Sequence, residues 1–390
     1  MYTYRHKTVF EYFGCKKCGK IIHERLREAG YYVGHVGKWG LVGDQFCKYV
    51  DYYNEYGLWH WKVRDNKLWH ITAKNEKDAM EFLRHRDTRK PFFLNVAFYA
   101  THALLFVTTQ YEPQPWSKTL YNNVIIPEPV TNSKEDWYNM PWFFQNPPNV
   151  TVLEDYENTD RFYWHQRFVN RQLFQYMMRK IYRMATELDH TSGVIMDELK
   201  RQGIYDNTFI IFTGDNGVFH GEHGLAEKLT PHEESLRTPL IIRDPRTPKH
   251  LRGTTIHEFT LNIDLAPTIL NAAGLSRPDV YMGQNIADLY LDKNVTWRKD
   301  FYYEFLSEFS NPKYMPQVEA LVNEEYKYFY WSQFDYEQLF HVSIDKYEQV
   351  DILNSTERPY DAKTKKIHIE MKRRMSELRS LVQAKENVVL

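Results

Sequence analysis

The chain has 390 residues; 43% are hydrophobic and 26% charged, near the averages for soluble globular proteins, while aromatics reach 16%, led by 29 Tyr and 23 Phe. This excludes disorder as the main state and leaves room for one large α/β domain with an appendage. Fifty basic residues against fifty-one acidic give a formal charge of −1, so no overall field directs the chain to nucleic acid or an anionic membrane. Any anion site has to be built locally. The longest apolar runs, such as PFFLNVAFYA (91–100), are well short of the roughly twenty residues of a membrane span. The start, MYTYRHKTVFEYF, has neither the apolar region nor the cleavage site of a signal peptide.

CKKC at 15–18 lacks the second ligand pair of a zinc site, and with Cys47 it makes too few cysteines for a disulfide framework. Residues 21–40 then carry Ile22, Leu26 and Ala29 at helical spacing, Gly30 as a C-terminal stop, and a short strand in YYVGHVG. KDAMEFLRHR reads as a helix feeding the strand PFFLNVAFY. From Thr101 to about Phe162 the text is rich in Pro, Trp, Tyr and Asn without a sustained period, which predicts long loops. Helical spacing returns from Arg171 to Arg201, ended by Gly203, and DNTFIIFTG is a turn into a fully apolar strand. RTPLIIRDP gives another short strand. DLAPTILNAAG is a helix with Asp264 as candidate N-cap, Pro267 in the first turn and Gly274 as its stop.

Helices alternating with apolar strands predict an α/β fold with a mostly parallel central sheet flanked by helices. Beyond about Lys293 the pattern changes to aromatic runs such as YKYFYWSQF and then to a charged helix, IHIEMKRRMSELRSLVQAKE. The expected division is residues 1–294 and a smaller C-terminal α+β subdomain, 295–390. Three N-glycosylation sequons stand at Asn149, Asn294 and Asn354.

Ligands of a parallel sheet collect beyond the carboxyl ends of its strands. Asp215 and Asn216 stand at such an end, in TGDNGVFHGEHGLAEK, and offer the oxygen donors that a hard cation prefers; a plain DNG turn is the alternative. Lys228 closes the same glycine-rich stretch, Lys38 follows the strand VGHVG, and His102 follows FYAT. A metal beside two lysines and a histidine would form a positive pocket for a tetrahedral oxyanion.

In this order the motifs resemble those of the sulfatase family, the formylglycine-dependent sulfuric ester hydrolases of the alkaline phosphatase superfamily. GYYVGHVGKWGLVG is similar to the family's second signature, and GIYDNTFIIFTGDNGVFHGEHGLAEK to the segment with its later metal ligands and a sulfate-contacting lysine. RKPFFLNVAFYATH resembles the strand that ends in the active-site histidine, NIDLAPTILNAAGL the helix that follows later, and EQLFHVSIDKYEQVDIL a C-terminal element. The resemblance implies an alkaline phosphatase-like fold and calcium ligation by Asp215 and Asn216. It also implies contact of Lys38, His102 and Lys228 with the sulfate or its leaving oxygen. HEESLRTPLII reads as structural, and neither His220 nor His223 is assigned a role.

The sequence departs from the family in four places. It contains no C/S-x-P-x-R, the motif whose Cys or Ser becomes formylglycine, and neither Cys15 nor Cys18 stands in one. The paired aspartates of the family's first strand have no counterpart, and Gly40 and His341 stand where a His and an Asp are usual. The expected activity is hydrolysis of sulfate esters, with a sulfated carbohydrate as substrate, in a full-length parent of the secretory pathway, extracellular or lysosomal. These 390 residues alone are expected to bind calcium poorly and to release no sulfate. The alternatives are an inactive sulfatase-fold module that binds sulfated glycans, and a phosphoesterase of the same superfamily. The aromatic loops between 101 and 162 either stack on sugar rings or pack as ordinary loop side chains.

Overall fold

The computed structural model describes residues 20–39, 46–105, 107–145, 159–291, 294–306, 316–355 and 360–389. Cys15, Cys18, Gly40 and Asn149 lie outside the described residues. Helix α1 (Ile22–Glu28) ends as expected at Gly30, whose φ of 90° suits a residue without Cβ. Strand β1 (Tyr32–Gly37) follows, buried from Val33 on, and then β2 (Tyr52–Glu55). The hairpin β3 (Trp61–Arg64) and β4 (Lys67–His70) turns at Asp65 and Asn66, both with positive φ. Helix α2 (Ile71–His85) leads into β5 (Phe92–Ala97).

The region 107–145 carries only short helices such as α3 (Lys134–Tyr138), capped by Ser133. Helix α4 (Thr159–Arg167) precedes α5 (Arg171–Arg201), whose start is capped by Asn170 accepting from the Leu173 amide. Then come β6 (Ile210–Thr213), the small hairpin β7 (Phe219–His220) and β8 (Ala226–Glu227), α6 (Glu233–Leu236) and β9 (Leu240–Arg243). Helices α7 (Leu265–Ala272) and α8 (Ala287–Leu291) precede β10 (Asp300–Phe305), β11 (Val318–Asn323), β12 (Lys327–Trp331) and β13 (Tyr336–Phe340). The chain closes with α9 (Ala362–Val389).

β1 is the centre of a three-stranded parallel sheet in the order β2-β1-β5. Helix α2 packs directly on it because Gly34 has no side chain: a Cβ there would collide with the Phe82 ring. Phe92 and Leu94 of β5 and Ile210 of β6 lie against one cluster built by Phe82, Leu83 and Leu199 of α2 and α5. The fold is therefore the expected α/β arrangement, with two local differences. β6 pairs antiparallel with β9, and both strands are only half-buried rather than fully enclosed, because among the described residues each pairs along one edge. Asp264 does not cap α7; its buried carboxylate instead accepts the amides of Leu261 and Gln284, each at 2.7 Å, and pairs with Arg298.

The four C-terminal strands form one antiparallel sheet in chain order. One face is covered by α9 through Met371 and Met375. The other meets Trp137, Phe143, Phe144, Phe219 and Leu225. Several aromatics of the loop region, open to either role, are thus core, since bulky rings fill the space between sheet and loop better than they serve as surface. Trp116 and Trp142 are exposed but pack against His190 and Phe334. Among the described residues no helix is long and apolar enough to cross a membrane.

Candidate active site

Lys38 follows β1 directly, and its amide donates to Ala97 O at the end of β5 (2.7 Å). Its carbonyl lies 3.2 Å from His35 Nε2. The His35 Nδ1 faces the Asn95 side-chain amide at 3.3 Å, so Nδ1 accepts and Nε2–H donates to Lys38 O. Burial lowers the His35 pKa to about 4, which keeps this link neutral. Burial also lowers the Lys38 pKa; Asp215 opposes that shift and Lys228 adds to it.

His102 sits beyond β5, with its amide on Tyr99 O (2.9 Å). Its Nδ1 lies 2.7 Å from Ala103 O, a pure acceptor, so Nδ1 carries the proton and Nε2 presents a lone pair. Burial depresses the His102 pKa first, then Lys228 and Lys38, while the Ala103 bond and Glu227 act in the other direction. The backbone of His102 is held from outside: His60 Nε2 donates to His102 O at 2.9 Å, and His60 Nδ1 accepts the Glu112 amide at 3.1 Å.

After β6 the chain turns at Gly214, where a Cβ would collide with Thr238 Oγ1. Asp215 Oδ1 accepts the Asn216 amide (3.0 Å), and Asn262 Nδ2 donates to Asp215 O (2.6 Å). Asn216 donates through Nδ2 to Gly217 O (2.7 Å) and accepts Lys228 Nζ on Oδ1 (3.1 Å). Lys228 stands between two residues with left-handed backbone, Glu227 at φ 81° and Leu229 at φ 88°. The Leu229 amide is fixed by Ser235 Oγ (3.0 Å) and its carbonyl by the Tyr303 hydroxyl (2.9 Å). Glu227 is fixed by Arg167, whose Nη1 lies 2.5 Å from Oε1, a charge contact rather than a well-angled hydrogen bond. Behind the pair, Asp160 is buried with both carboxyl oxygens unpartnered among the described residues, and desolvation and Glu227 push its pKa well up.

Lys38, His102, Lys228 and Asp215, drawn from three separate segments beyond β1, β5 and β6, are thus close enough to influence one another's charge. Asn216 joins them through Lys228. His220 and His223 take other partners. The His220 amide is held by Glu222, and the His223 ring lies 4.9 Å from His232 and 4.0 Å from Glu234. His341 stacks on Tyr326, and Cys47 is exposed.

Among the described residues the oxygen donors do not complete a calcium site. Asn216 Oδ1 already accepts from Lys228, Asp215 Oδ1 from a backbone amide, and no group of three His, Cys, Asp or Glu side chains suited to a metal occurs among the described residues. Calcium takes six to eight oxygens. The supporting residues His35, Asn95, His60, Arg167, Glu227 and Asn262 escape sequence reading. His60 and Arg167 stand in none of the quoted motifs and act on partners distant in the chain, while His35, Asn95, Glu227 and Asn262 lie inside those motifs, where residue type alone does not mark their contacts.

The Sulfatase family profile matches residues 20–275, and that for the C-terminal region of N-sulphoglucosamine sulphohydrolase matches residues 221–381. The chain belongs to the sulfatase family. It is 29% identical over 300 residues to an arylsulfatase of Clostridium perfringens, covering 76% of this chain and 56% of that protein. It is 26% identical over 348 residues to an N-acetylglucosamine-6-O-sulfatase of Bacteroides thetaiotaomicron, covering 72% and 59%. The chain thus spans under two thirds of the length of these curated relatives. A solved structure described as a complex with its substrate D-glucosamine-2-N,6-O-disulfate superposes with a TM-score of 0.72 at 21% identity, over 95% of this chain and 83% of that one. A phosphonate monoester hydrolase from Silicibacter pomeroyi also gives 0.72, at 18% identity, over 97% and 83%. Both support the alkaline phosphatase-like fold.

Proposed function

We propose that the pocket of Lys38, His102, Lys228 and Asp215 receives the sulfate group of a sulfated carbohydrate, in a sulfatase whose activity is sulfate ester hydrolysis. The observation that carries this reading is that Lys38 and His102 follow the carboxyl ends of the paired parallel strands β1 and β5, while Lys228 bonds Asn216 beyond β6; the directions of the Lys38 and His102 pKa shifts agree with it. Two ammonium groups in a partly desolvated pocket bind a tetrahedral oxyanion and stabilise charge developing on it. His102 is positioned to act on the bridging oxygen: its fixed Nδ1–H leaves Nε2 to take a proton, and an anion placed between it and the lysines raises its pKa from the depressed empty-pocket value. Asp215 holds the positive charge of Lys38 against its desolvation.

In the family calcium and formylglycine complete the chemistry, calcium by polarising the sulfate and formylglycine by supplying the nucleophile. The given sequence holds no C/S-x-P-x-R, and among the described residues the oxygen donors fall short of a calcium site. Asp215 and Asn216 become calcium ligands only where further carboxylates join them. We further place the division between α/β body and C-terminal subdomain near residue 294. The secretory pathway is the compartment we assign to the protein; an extracellular sulfatase of Drosophila melanogaster, 30% identical over 237 residues, supports it.

Calorimetric titration of the chain with inorganic sulfate tests the pocket. Saturable binding is expected in the wild type, with at least a tenfold loss in Lys228→Ala, about the worth of one charge-assisted contact. Equal affinity of the two proteins would reject the assignment. A phenylphosphonate monoester that binds more tightly than an aryl sulfate would favour the phosphoesterase alternative.

A further inference from the structure

The segment Tyr56–His60, YGLWH, bridges the pocket's two sides. At one end the Tyr56 amide donates to Gly37 O (3.1 Å), and Gly57 lies on the Lys38 side chain, where a Cβ would stand 3.5 Å from Lys38 Cγ. At the other end buried His60 is bonded to His102 O and to the Glu112 amide. Between these anchors Leu58 and Trp59 are held in solvent, 72% and 52% exposed. Leu58 is kept at φ 70°, a left-handed conformation that disfavours leucine. Unlike the exposed Trp116 and Trp142, Trp59 has no ring or hydrogen-bond partner among the described residues. A segment anchored beside both Lys38 and His102 thus carries an exposed indole that has no ring or hydrogen-bond partner among the described residues.

The adjoining hairpin β3–β4 is basic, with Lys62, Arg64 and Lys67 against Asp65, and exposes Val63 and Leu68. The matching ligand is anionic, yet carries an apolar face. A sugar ring bearing a sulfate ester has both: the C–H face of the ring stacks on an aromatic plane while its sulfate reaches the cations.

Building on the sulfate assignment, we propose that Trp59, supported by Leu58, is the stacking wall for the sugar ring whose sulfate occupies the Lys38–His102–Lys228 pocket. The wall distinguishes a sulfated carbohydrate from a free sulfate ion, which Trp59 does not touch. The aromatic carbohydrate platform is therefore this short segment rather than the longer loops further along the chain.

The test is calorimetric titration with D-glucosamine 6-sulfate and, separately, inorganic sulfate. The wild type is expected to bind the sulfated sugar more tightly than sulfate. Trp59→Ala should weaken the sugar about tenfold and leave sulfate unchanged, while Trp59→Phe stays within about threefold for both, as expected for loss and retention of an aromatic face. An Ala variant that loses both ligands equally would mean a structural role, and one that loses neither would remove the wall; either result overturns the proposal. If sulfate binds and Lys228→Ala abolishes it while Trp59→Ala leaves the sugar unaffected, the wall alone fails. If the wild type binds no sulfate, the pocket assignment fails and takes the wall with it.

Discussion

Replacing Arg167 by Met removes the charge behind Lys228 while keeping much of the side-chain volume. Arg167 is buried between the Tyr163 ring, 4.6 Å from its guanidinium carbon, and the Tyr111 ring at 5.7 Å, and it pairs with Glu227 at 2.5 Å. Breaking such a pair on one side costs about 3–5 kcal/mol, because the remaining charge is left in a poor solvent. The Glu227 side chain keeps 14% exposure, which places the cost near the lower end, about 3 kcal/mol. At about 2.1 cal/mol/K per residue, cooperative unfolding of 390 residues has an entropy of about 0.8 kcal/mol/K, so the Tm should fall by about 4 °C. Differential scanning calorimetry of Arg167→Met, Glu227→Gln and the double variant closes a double-mutant cycle. The double variant should recover much of the loss, since it removes the carboxylate that Arg167→Met alone leaves unpaired. An Arg167→Met protein that melts within 1 °C of wild type, as against the drop of about 4 °C worked above, would refute the claim that this pair braces the lysine.

The pH dependence of stability follows from Glu234, His223 and His232. Burial first, then Glu348, raises the Glu234 pKa to about 8, and burial lowers both histidines to about 3. For the histidines the unfolded chain binds more protons between pH 3 and their ordinary 6.5, so stability rises through that interval. For Glu234 the folded chain binds more protons from 4.5 up to about 8, so its contribution falls over that range. Stability is therefore expected to peak near pH 6.5 and decline towards 8, and Glu234→Gln should flatten the decline, worth up to about 2 kcal/mol over 1.5 pH units. A decline of the same size in the variant, followed by thermal melts at half-unit steps, would exclude Glu234 as its source. Calcium at about 1 mM should raise the Tm by less than 1 °C, since an incomplete ligand set gives a Kd at or above that concentration. A larger shift that Asp215→Asn removes would show that this chain does hold the ion.

Much of the scaffold was legible because it rests on local rules. The stop at Gly30, the 31-residue helix from Arg171 and the strands before Lys38 and His102 follow from period, capping and glycine conformations. The direction of β6 was not, because an apolar run such as TFIIF reads the same whether its neighbour is parallel or antiparallel. Asp264 has the residue type and position of a cap, yet donors 3, 20 and 34 residues away claim its oxygens. The site divides in the same way. Lys38, His102, Asp215, Asn216 and Lys228 sit at the strand ends or in the loops that leave them, whereas His60 and Arg167 act across 42 and 60 positions, contacts that only the folded chain reveals.

The Asp264–Arg298 pair changes what the C-terminal quarter of the chain means. Arg298 also donates to Phe259 O, beside the Trp297 indole bonded to the same carbonyl, and Tyr303 of β10 reaches the backbone next to Lys228. The join is thus a weld rather than a hinge. Severing the polypeptide at residue 294 would strip a buried acid of its counter-charge and slacken the loop that aims the lysine. A separately produced 1–294 piece should then lose sulfate affinity along with solubility, and one that retained full affinity would reduce the C-terminal sheet to a passive passenger.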